Sequence, residues 1–310
     1  MCNFLSAIIL KNLDVIWDYE YTKSHEELIS KYKLNDDEAS YYLERFCRVE
    51  FIPSNLSKLR NKDDWNLDID GNSTPSWFDK EIITNKLWII ISNMFVQEEK
   101  ELLEEGCYIL LDDAKIGKIR NCAIPYMTEN SRIETVSGNS IISHMLGNSR
   151  IEIVSGNSRI HNMWDNSRIE TVSNSRIHNM WDNSRIKNIR DSSSIGGMLD
   201  DSEVVNIYGT SNVEDMLYNS GIETMWGNSK IGMMCDNSKI ESMHEYSKIE
   251  AMFNNSKIET MYDNSKIGTM HEYSKIETMF NNSKIQIMYD DSKIGDIYDD
   301  SKINEDCRSK

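Results

Sequence analysis

"SKIETMYDNSKIGTMHEYSKIETMFNNSKIQIMYDDSKIG" runs from Ser256 to Gly295 and repeats one phrase with a step of nine residues. In an extended chain Ser256 and Ile258, two apart, point to the same face, and the polar pair before each serine has turn chemistry. One such unit cannot bury its isoleucine, whereas a stack of units buries a continuous row. The stretch therefore predicts a parallel β-solenoid, with Ser256, Ile258 and Met261 facing inward and Lys257 and Glu259 facing water.

The repeat extends over the range 114–304. Its central position holds twenty isoleucines and two valines, at 116, 124, 133, 142, 151, 160, 169, 177, 186, 195, 204, 213, 222, 231, 240, 249, 258, 267, 276, 285, 294 and 303. Two residues earlier stands serine, except for Ala114 and Cys122 in the first two units, so this position needs a small side chain. Three residues later stands Met, Val or Ile in every unit but the last.

The third apolar position indicates how many units form one coil. From Ile119 to Met216 it alternates between a β-branched residue and methionine, which is a period of eighteen. Two units per coil explain the alternation, because each wall of the solenoid then keeps its own residue type, and about 22 units give about eleven coils. A second reading stays open, because HEY, FNN and YDN/YDD recur every 27 residues from His244 to Asp291. That period indicates either a duplicated three-unit block or a coil of three units.

Residues 1–113 lack the repeat and predict a small α+β domain that caps the solenoid or recognises a partner. TKSHEELISKYKL and NDDEASYYLERF have capping residues and helical spacing, whereas RVEFIP and WNLDID alternate as strands do. The stretch from Ser73 to Gly106 predicts one long helix that begins at Ser73-Thr74-Pro75. The fold class is thus mainly β, a parallel β-solenoid of about 22 nine-residue repeats, two per coil, after a small α+β domain, with a tail at 305–310.

Charge and cysteine usage limit the classes of function. The net charge of −17 argues against binding to nucleic-acid backbones or anionic membranes, since both need positive potential. The charge varies along the chain: residues 114–190 hold 11 basic and 6 acidic residues, and residues 191–310 hold 11 and 22. Six cysteines without CxxC spacing, and the lack of an export or membrane signal, predict a cytoplasmic protein.

No motif points to catalysis, a cofactor or a metal. The turns have at most one or two acids and little glycine, unlike the calcium-binding β-roll. His144, His161 and His178 fall on one wall without paired ligands, so we interpret them as outward polar residues. Repeating glutamates indicate cross-strand pairing with lysines, and stacked Asn and Ser side chains should hydrogen-bond along the rod. We therefore expect no enzyme, no cofactor and no metal site.

The position after the third apolar residue carries aromatic side chains that would point outward. If so, they form stacked stripes, and large apolar stripes usually mark an interface. The alternative is that these rings lie at a corner of the coil and are covered by their neighbours. The predicted partner-binding residues are Tyr208, Trp226, Tyr262, Phe280 and Tyr298 on one wall and Trp164 and Trp181 on the other.

The repeat region resembles the nonapeptide GNSxV/NSKI solenoids of uncharacterised phage and gut-bacterial proteins. RVEFIP, WNLDID and TPSWFD in the first domain look like the leader of the same group. A distant analogy exists with pentapeptide-repeat proteins, which are acidic rods that imitate DNA and inhibit gyrase. This chain departs from them, because its unit has nine residues and places Lys or Arg after most serines.

Two main functions follow as hypotheses. The first is a non-enzymatic protein-interaction scaffold, phage-encoded and directed at a host protein as an inhibitor or anti-defence factor, whose partner is that protein or a second copy in a homodimer. The second is a structural or adhesive rod such as a fibre or spike component. A DNA-mimic inhibitor is a third reading, and an enzyme in the first domain is the least favoured.

Overall fold

The computed structural model describes residues 5–18, 24–34, 45–71, 74–289 and 291–308. The chain divides into two compact units. One comprises residues 1–96 and 106–109, and the other comprises residues 97–105 and 110–310. The expected domains 1–113 and 114–304 and the tail 305–310 stay predictions as to their boundaries.

The first unit contains a four-stranded antiparallel sheet in the order β2-β1-β3-β4. Its strands are β1 Leu5–Leu10, β2 Val15–Ile16, β3 Phe46–Pro53 and β4 Trp65–Ile69, with short 3₁₀ turns at Leu56–Lys58 and Lys62–Asp64. The ring of Phe51 stacks on Trp65 at 5.2 Å, and Trp88 meets Trp65 edge-on at 6.3 Å. The strands expected at RVEFIP and WNLDID are therefore confirmed.

Among the described residues of this unit, two helices accompany the sheet, α1 His25–Lys31 and α2 Lys80–Ser92. The Ser24 side chain accepts a hydrogen bond from the Glu27 amide at 3.2 Å, so Ser24 caps α1 as its sequence predicts. Leu28 of α1 is fully buried against the sheet together with Ile8. The helix expected at NDDEASYYLERF falls almost entirely at 35–44, outside the described residues.

The single long helix predicted from Ser73 to Gly106 is wrong. Helix α2 begins after an Asp79 cap and ends at Ser92, and the chain then forms strands β5 Phe95–Val96 and β6 Glu99–Cys107. The Glu- and Lys-rich segment has good helix propensity, but β6 pairs with a strand of the solenoid. Tertiary pairing thus overrides local propensity here.

The second unit is a parallel β-solenoid in which two strands form each coil. Short β7 Ile109–Leu110 and long β8 Lys115–Met127 precede the regular strands, and β8 supplies both walls. The first wall contains β9 Arg132–Ser137, β11 Arg150–Val154, β13 Arg168–Ser173, β15 Arg185–Arg190, β17 Glu203–Ile207, β19 Gly221–Met225, β21 Lys239–Met243, β23 Lys257–Met261, β25 Lys275–Met279 and β27 Lys293–Ile297. The second wall contains β10 Ile141–Met145, β12 Arg159–Met163, β14 Arg176–Met180, β16 Ser194–Met198, β18 Asn212–Met216, β20 Lys230–Met234, β22 Lys248–Met252, β24 Lys266–Met270, β26 Lys284–Met288 and β28 Lys302–Asp306.

The strand register shows that a coil is two units long. Each regular strand pairs with the second strand after it, 18 residues later in most cases, as Ile258 does with Ile276 on the first wall and Ile249 with Ile267 on the second. The separation is 17 residues where one unit is a residue shorter, as between Ile160 and Ile177. The three-unit coil is therefore wrong, and the 27-residue period belongs to the sequence alone. The solenoid has about 12 turns. This number is higher than the eleven coils predicted from the repeat, because β6 and β7 pair with β8 and add a turn before the first regular coil.

The stacked strands skip one residue of the pairing at the same place in both strands, and two core residues three apart then both face inward. The last two strands differ, because Ile294 and Ile303 are half-buried and Ile297 is exposed. In the pairing of β23 with β25 the register runs through Lys257, Ile258, Thr260 and Met261 and skips Glu259. Ile258 and Met261 are both fully buried, although strict alternation would send one of them outward. Ser256 is also fully buried, so the inward set predicted from the repeat is confirmed.

The corners are built from left-handed residues and partly from side-chain ladders. Asp263 has a φ of 58° and Gly227 one of 74°, which are conformations that Asp, Asn and Gly tolerate best. Asparagines do hydrogen-bond along the rod, for example Asn157 Nδ2 to Asn139 Oδ1 at 3.2 Å. The repeat serines were expected to do the same, and this is wrong for most of them. Ser283 and Ser301 join hydroxyl to hydroxyl at 3.1 Å, but among the described residues twelve repeat serines, such as Ser220 and Ser256, have a buried hydroxyl without a hydrogen-bond partner.

Candidate interaction surfaces

The strand geometry places the aromatic side chains at the corners of the coil. Each follows the third apolar residue of its strand, and its backbone amide donates to the carbonyl of that apolar residue in the preceding coil, as Tyr262 does to Met243 at 2.8 Å. The ring positions therefore repeat with the rungs of the solenoid. The rings thus show features of both alternatives raised by the sequence: they lie where each strand ends, and they stack along the solenoid.

One corner carries a continuous stack that we call the long aromatic column. Its stacked members are Trp226, His244, Tyr262, Phe280 and Tyr298, and Tyr208 holds the same position one coil before Trp226. From Trp226 to Tyr298 the successive ring centroids are 3.9, 4.8, 5.4 and 4.9 Å apart, and all four interplanar angles are below 10°. The Arg190 guanidinium lies 5.6 Å from the Tyr208 ring and extends the column with a cation–π contact.

The other corner carries two separate stacks, which we call the short aromatic columns. Trp164 lies parallel to Trp181 at 5.0 Å. Further along, Phe253, His271 and Tyr289 stack at 4.8 and 4.6 Å. His271, the middle ring of the second stack, was not among the predicted residues. The sequence does contain an indication of this residue, because the second HEY triplet begins there. It lies 27 residues after the first triplet and therefore on the opposite wall.

The stacked rings cover one another's faces and leave edges toward solvent. Trp164, Trp181, Tyr208, Trp226, Tyr262 and Phe280 are all partly buried, whereas Tyr298 is 48% exposed. Such a column is rigid, because each ring is held by two neighbours. It presents a ridge of aromatic edges with little freedom to lose when a partner binds.

His244 is the titratable member of the long aromatic column. Burial lowers its pKa, while the carboxylates of Asp263 and Glu245 act in the opposite direction. Its Nε2 lies 3.1 Å from the Ser242 hydroxyl. The neutral imidazole is therefore the form that fits between Trp226 and Tyr262.

The outward charges of the first wall form cross-strand ion pairs, as the sequence predicts. Lys239 Nζ lies 2.8 Å from Glu259, and Lys257 Nζ lies 2.6 Å from Glu277. Over the ranges that the structure describes, no group of three or more His, Cys, Asp or Glu could hold a metal ion. His144 stacks on Tyr126 at 5.1 Å, and His161 meets His178 edge-on at 4.8 Å.

Among the described residues, no helix is long and apolar enough to cross a membrane. Comparisons with known protein families, with curated proteins and with solved structures find no match to this chain. The function must therefore be argued from the surfaces of the solenoid themselves.

Proposed function

We propose that this chain is a non-enzymatic protein-interaction scaffold whose long aromatic column contacts a protein partner. The observation that carries the proposal is the unbroken stack from Trp226 to Tyr298, which sets five rings at the spacing of the rungs. Aromatic side chains dominate the energetics of protein interfaces, and rigid ones bind at low entropic cost.

The resemblance of the repeats to phage and gut-bacterial nonapeptide solenoids supports a finer proposal. In it the chain is phage-encoded and acts in the host cytoplasm, where it inhibits a host protein as an anti-defence factor. The pairing of glutamates with lysines on the first wall weighs against the DNA-mimic reading, because paired carboxylates do not offer a phosphate-like row.

Affinity capture from bacterial lysate tests the proposal with the full chain. We compare the natural sequence with a variant that carries Tyr262→Ser, Phe280→Ser and Tyr298→Ser. The matched control carries Tyr246→Ser and Tyr273→Ser, which remove exposed tyrosines that belong to neither column. We expect the column variant to lose the captured protein and the control to keep it, with thermal midpoints measured for both.

Two outcomes would contradict the proposal. If the column variant captures the same proteins as the natural chain, the column is not the contact surface. If no protein is captured by any of the three, the structural or adhesive rod becomes the better account, and binding to glycans is then the next measurement.

A further inference from the structure

The first wall carries a second distinctive surface near the start of the solenoid. A cleft of about 520 Å³ runs along the coils there. On one side of the cleft stand Arg132, Arg150 and Arg168, which we call the basic column. On the other side stand Glu134, Glu152 and Glu170, which we call the acidic column. All six side chains are exposed, and the register stacks each column rung upon rung.

These charges are largely unpaired within the chain. Among the described residues, no carboxylate lies within salt-bridge distance of Arg132, Arg150 or Arg168, and the one ion pair that the acidic column makes joins Glu170 to Lys187. The later rungs differ, because there Lys257 bridges to Glu277 across the same two positions and fills the space between them. The cleft thus lies where Arg132, Arg150 and Arg168 make no ion pair with a described residue, whereas Lys239 and Lys257 in later rungs are bridged within the chain.

The spacing of the charges selects the kind of partner. Rungs of a parallel stack repeat at ~4.8 Å, whereas side chains on one face of an extended peptide repeat at ~6.8 Å. A peptide laid along the cleft would lose register with the charges after one or two rungs. Another stack of β-strands with the same rung spacing keeps register over the whole length.

We infer that a second copy of this chain docks on the first wall, with a two-fold axis along the cleft. This rotation brings each basic column opposite the acidic column of the other copy at the same rung, so that Arg150 faces Glu152 of the second copy. Isologous interfaces need this kind of self-complementarity. Ile153, which is 45% exposed, lies beside Glu152 on the same wall and becomes covered.

The size of the wall fits a stable dimer. Its rungs extend over about 50 Å, and each five-residue strand over about 16 Å. The wall thus offers about 800 Å² per copy, which is the typical contribution of one partner to a specific interface. At the rungs of Arg185 and Glu203 the two columns do not keep the charges that they carry at the earlier rungs. There Arg185 forms ion pairs within the chain, with Glu203 and Glu223. The charged residues changed in the test below lie at 132–170, in earlier rungs than the long aromatic column, so the variants of the two proposals alter different residues.

Charge reversal tests the dimer by sedimentation at low salt, with the full chain of 36.0 kDa. One variant carries Arg132→Glu, Arg150→Glu and Arg168→Glu, and the other carries Glu134→Arg, Glu152→Arg and Glu170→Arg. We expect the natural chain at twice the monomer mass and each variant alone as a monomer, since like charges then face each other and weaken the dimer about 100-fold or more. An equimolar mixture of the two variants restores complementarity, so we expect the double mass to return as a heterodimer.

The matched control is Arg159→Glu with Arg176→Glu and Lys230→Glu, the same charge change at the equivalent positions of the second wall, and it should remain a dimer. Far-ultraviolet circular dichroism verifies the fold, and the single variants Arg150→Glu and Glu152→Arg repeat the test at one rung if a triple variant unfolds. A natural chain that sediments as a monomer at every concentration and low salt overturns the inference. Variants that stay dimeric, or a mixture that fails to associate, overturn it as well.

Discussion

At the scale of single residues, the serine of each unit must meet two requirements that conflict. It must be small, because a whole column of these side chains is fully buried at the corners. Its hydroxyl must also find a partner there, and it does so in some units: Ser211 Oγ donates to the Tyr208 carbonyl at 2.8 Å. In the next unit, among the described residues, Ser220 Oγ is buried without a hydrogen-bond partner. An unsatisfied buried hydroxyl costs free energy.

This difference predicts opposite effects for two neighbouring serines. We expect Ser220→Ala to raise the free energy of unfolding by about 1 kcal/mol, because it removes a buried hydroxyl that has no partner. We expect Ser211→Ala to lower it by about 1 kcal/mol, because the hydrogen bond to the Tyr208 carbonyl is lost. Chemical denaturation of the two variants is the measurement. Equal destabilisation by both would mean that Ser220 finds an acceptor in solution.

At the scale of the element, each corner depends on a residue in the left-handed region. Gly227, Glu245 and Asp263 succeed one another at one corner with φ values of 74°, 58° and 58°. Glycine adopts this conformation freely and Asn or Asp does so at small cost, whereas a β-branched residue is strained there. Backbone conformation therefore limits which residues can precede each serine more than side-chain contact does.

Glu245 offers a test of this constraint, because its side chain is exposed. We expect Glu245→Val to lower the free energy of unfolding by about 1 to 2 kcal/mol through left-handed strain. Glu245→Asn is the matched control and should leave stability unchanged or slightly raised. Thermal unfolding of the two variants measures the difference. If valine and asparagine proved equally tolerated, the corner would have to relax out of the left-handed region.

The sequence predicts the strands and turns of the solenoid well and two other features poorly. It places Ile258 inward but cannot show why Met261, three residues on, is also inward, because the skipping of Glu259 is a property of the pairing between stacked strands. It also predicts a helix at Glu99–Cys107, where a strand forms. In both cases the deciding contact comes from a neighbouring coil, which local propensity does not contain.

At the scale of the whole molecule, the 27-residue period explains how both corners acquired aromatic columns. Successive units alternate between the two walls, and the repeated block is three units long. Each unit of one block therefore lies on the opposite wall from the same unit of the block before. His244 and Phe280 thus stand in the long aromatic column, while Phe253 and His271 stand in a short one. The aromatic positions could be recognised in the sequence because they share a place in the unit, and their assembly into stacks follows from the coil of two units.

The coil of two units also predicts which deletions the solenoid tolerates. Removing residues 247–264 takes out one whole coil and sets Ile276 directly on Ile240 and Met279 on Met243, so every buried column stays continuous. Because each coil contacts mainly its neighbours, the loss of one among about 12 turns should change the thermal midpoint by only about 5 °C. Far-ultraviolet circular dichroism should keep its β-sheet signal.

Removing residues 247–259 is the matched control, since it is shorter but leaves a unit of five residues between Tyr246 and Ser265. This remnant is too short to supply a strand and a corner, so it must leave the stack as a loop and expose Met261 to water, while Ile276 still stacks on Ile240. We therefore expect the shorter deletion to lower the thermal midpoint more than the longer one, because it adds an exposed apolar loop to the same loss of one coil. If both deletions unfolded the chain alike, the stability of the solenoid would not be a sum of contacts between neighbouring coils. The solenoid would then have to fold as a single cooperative unit.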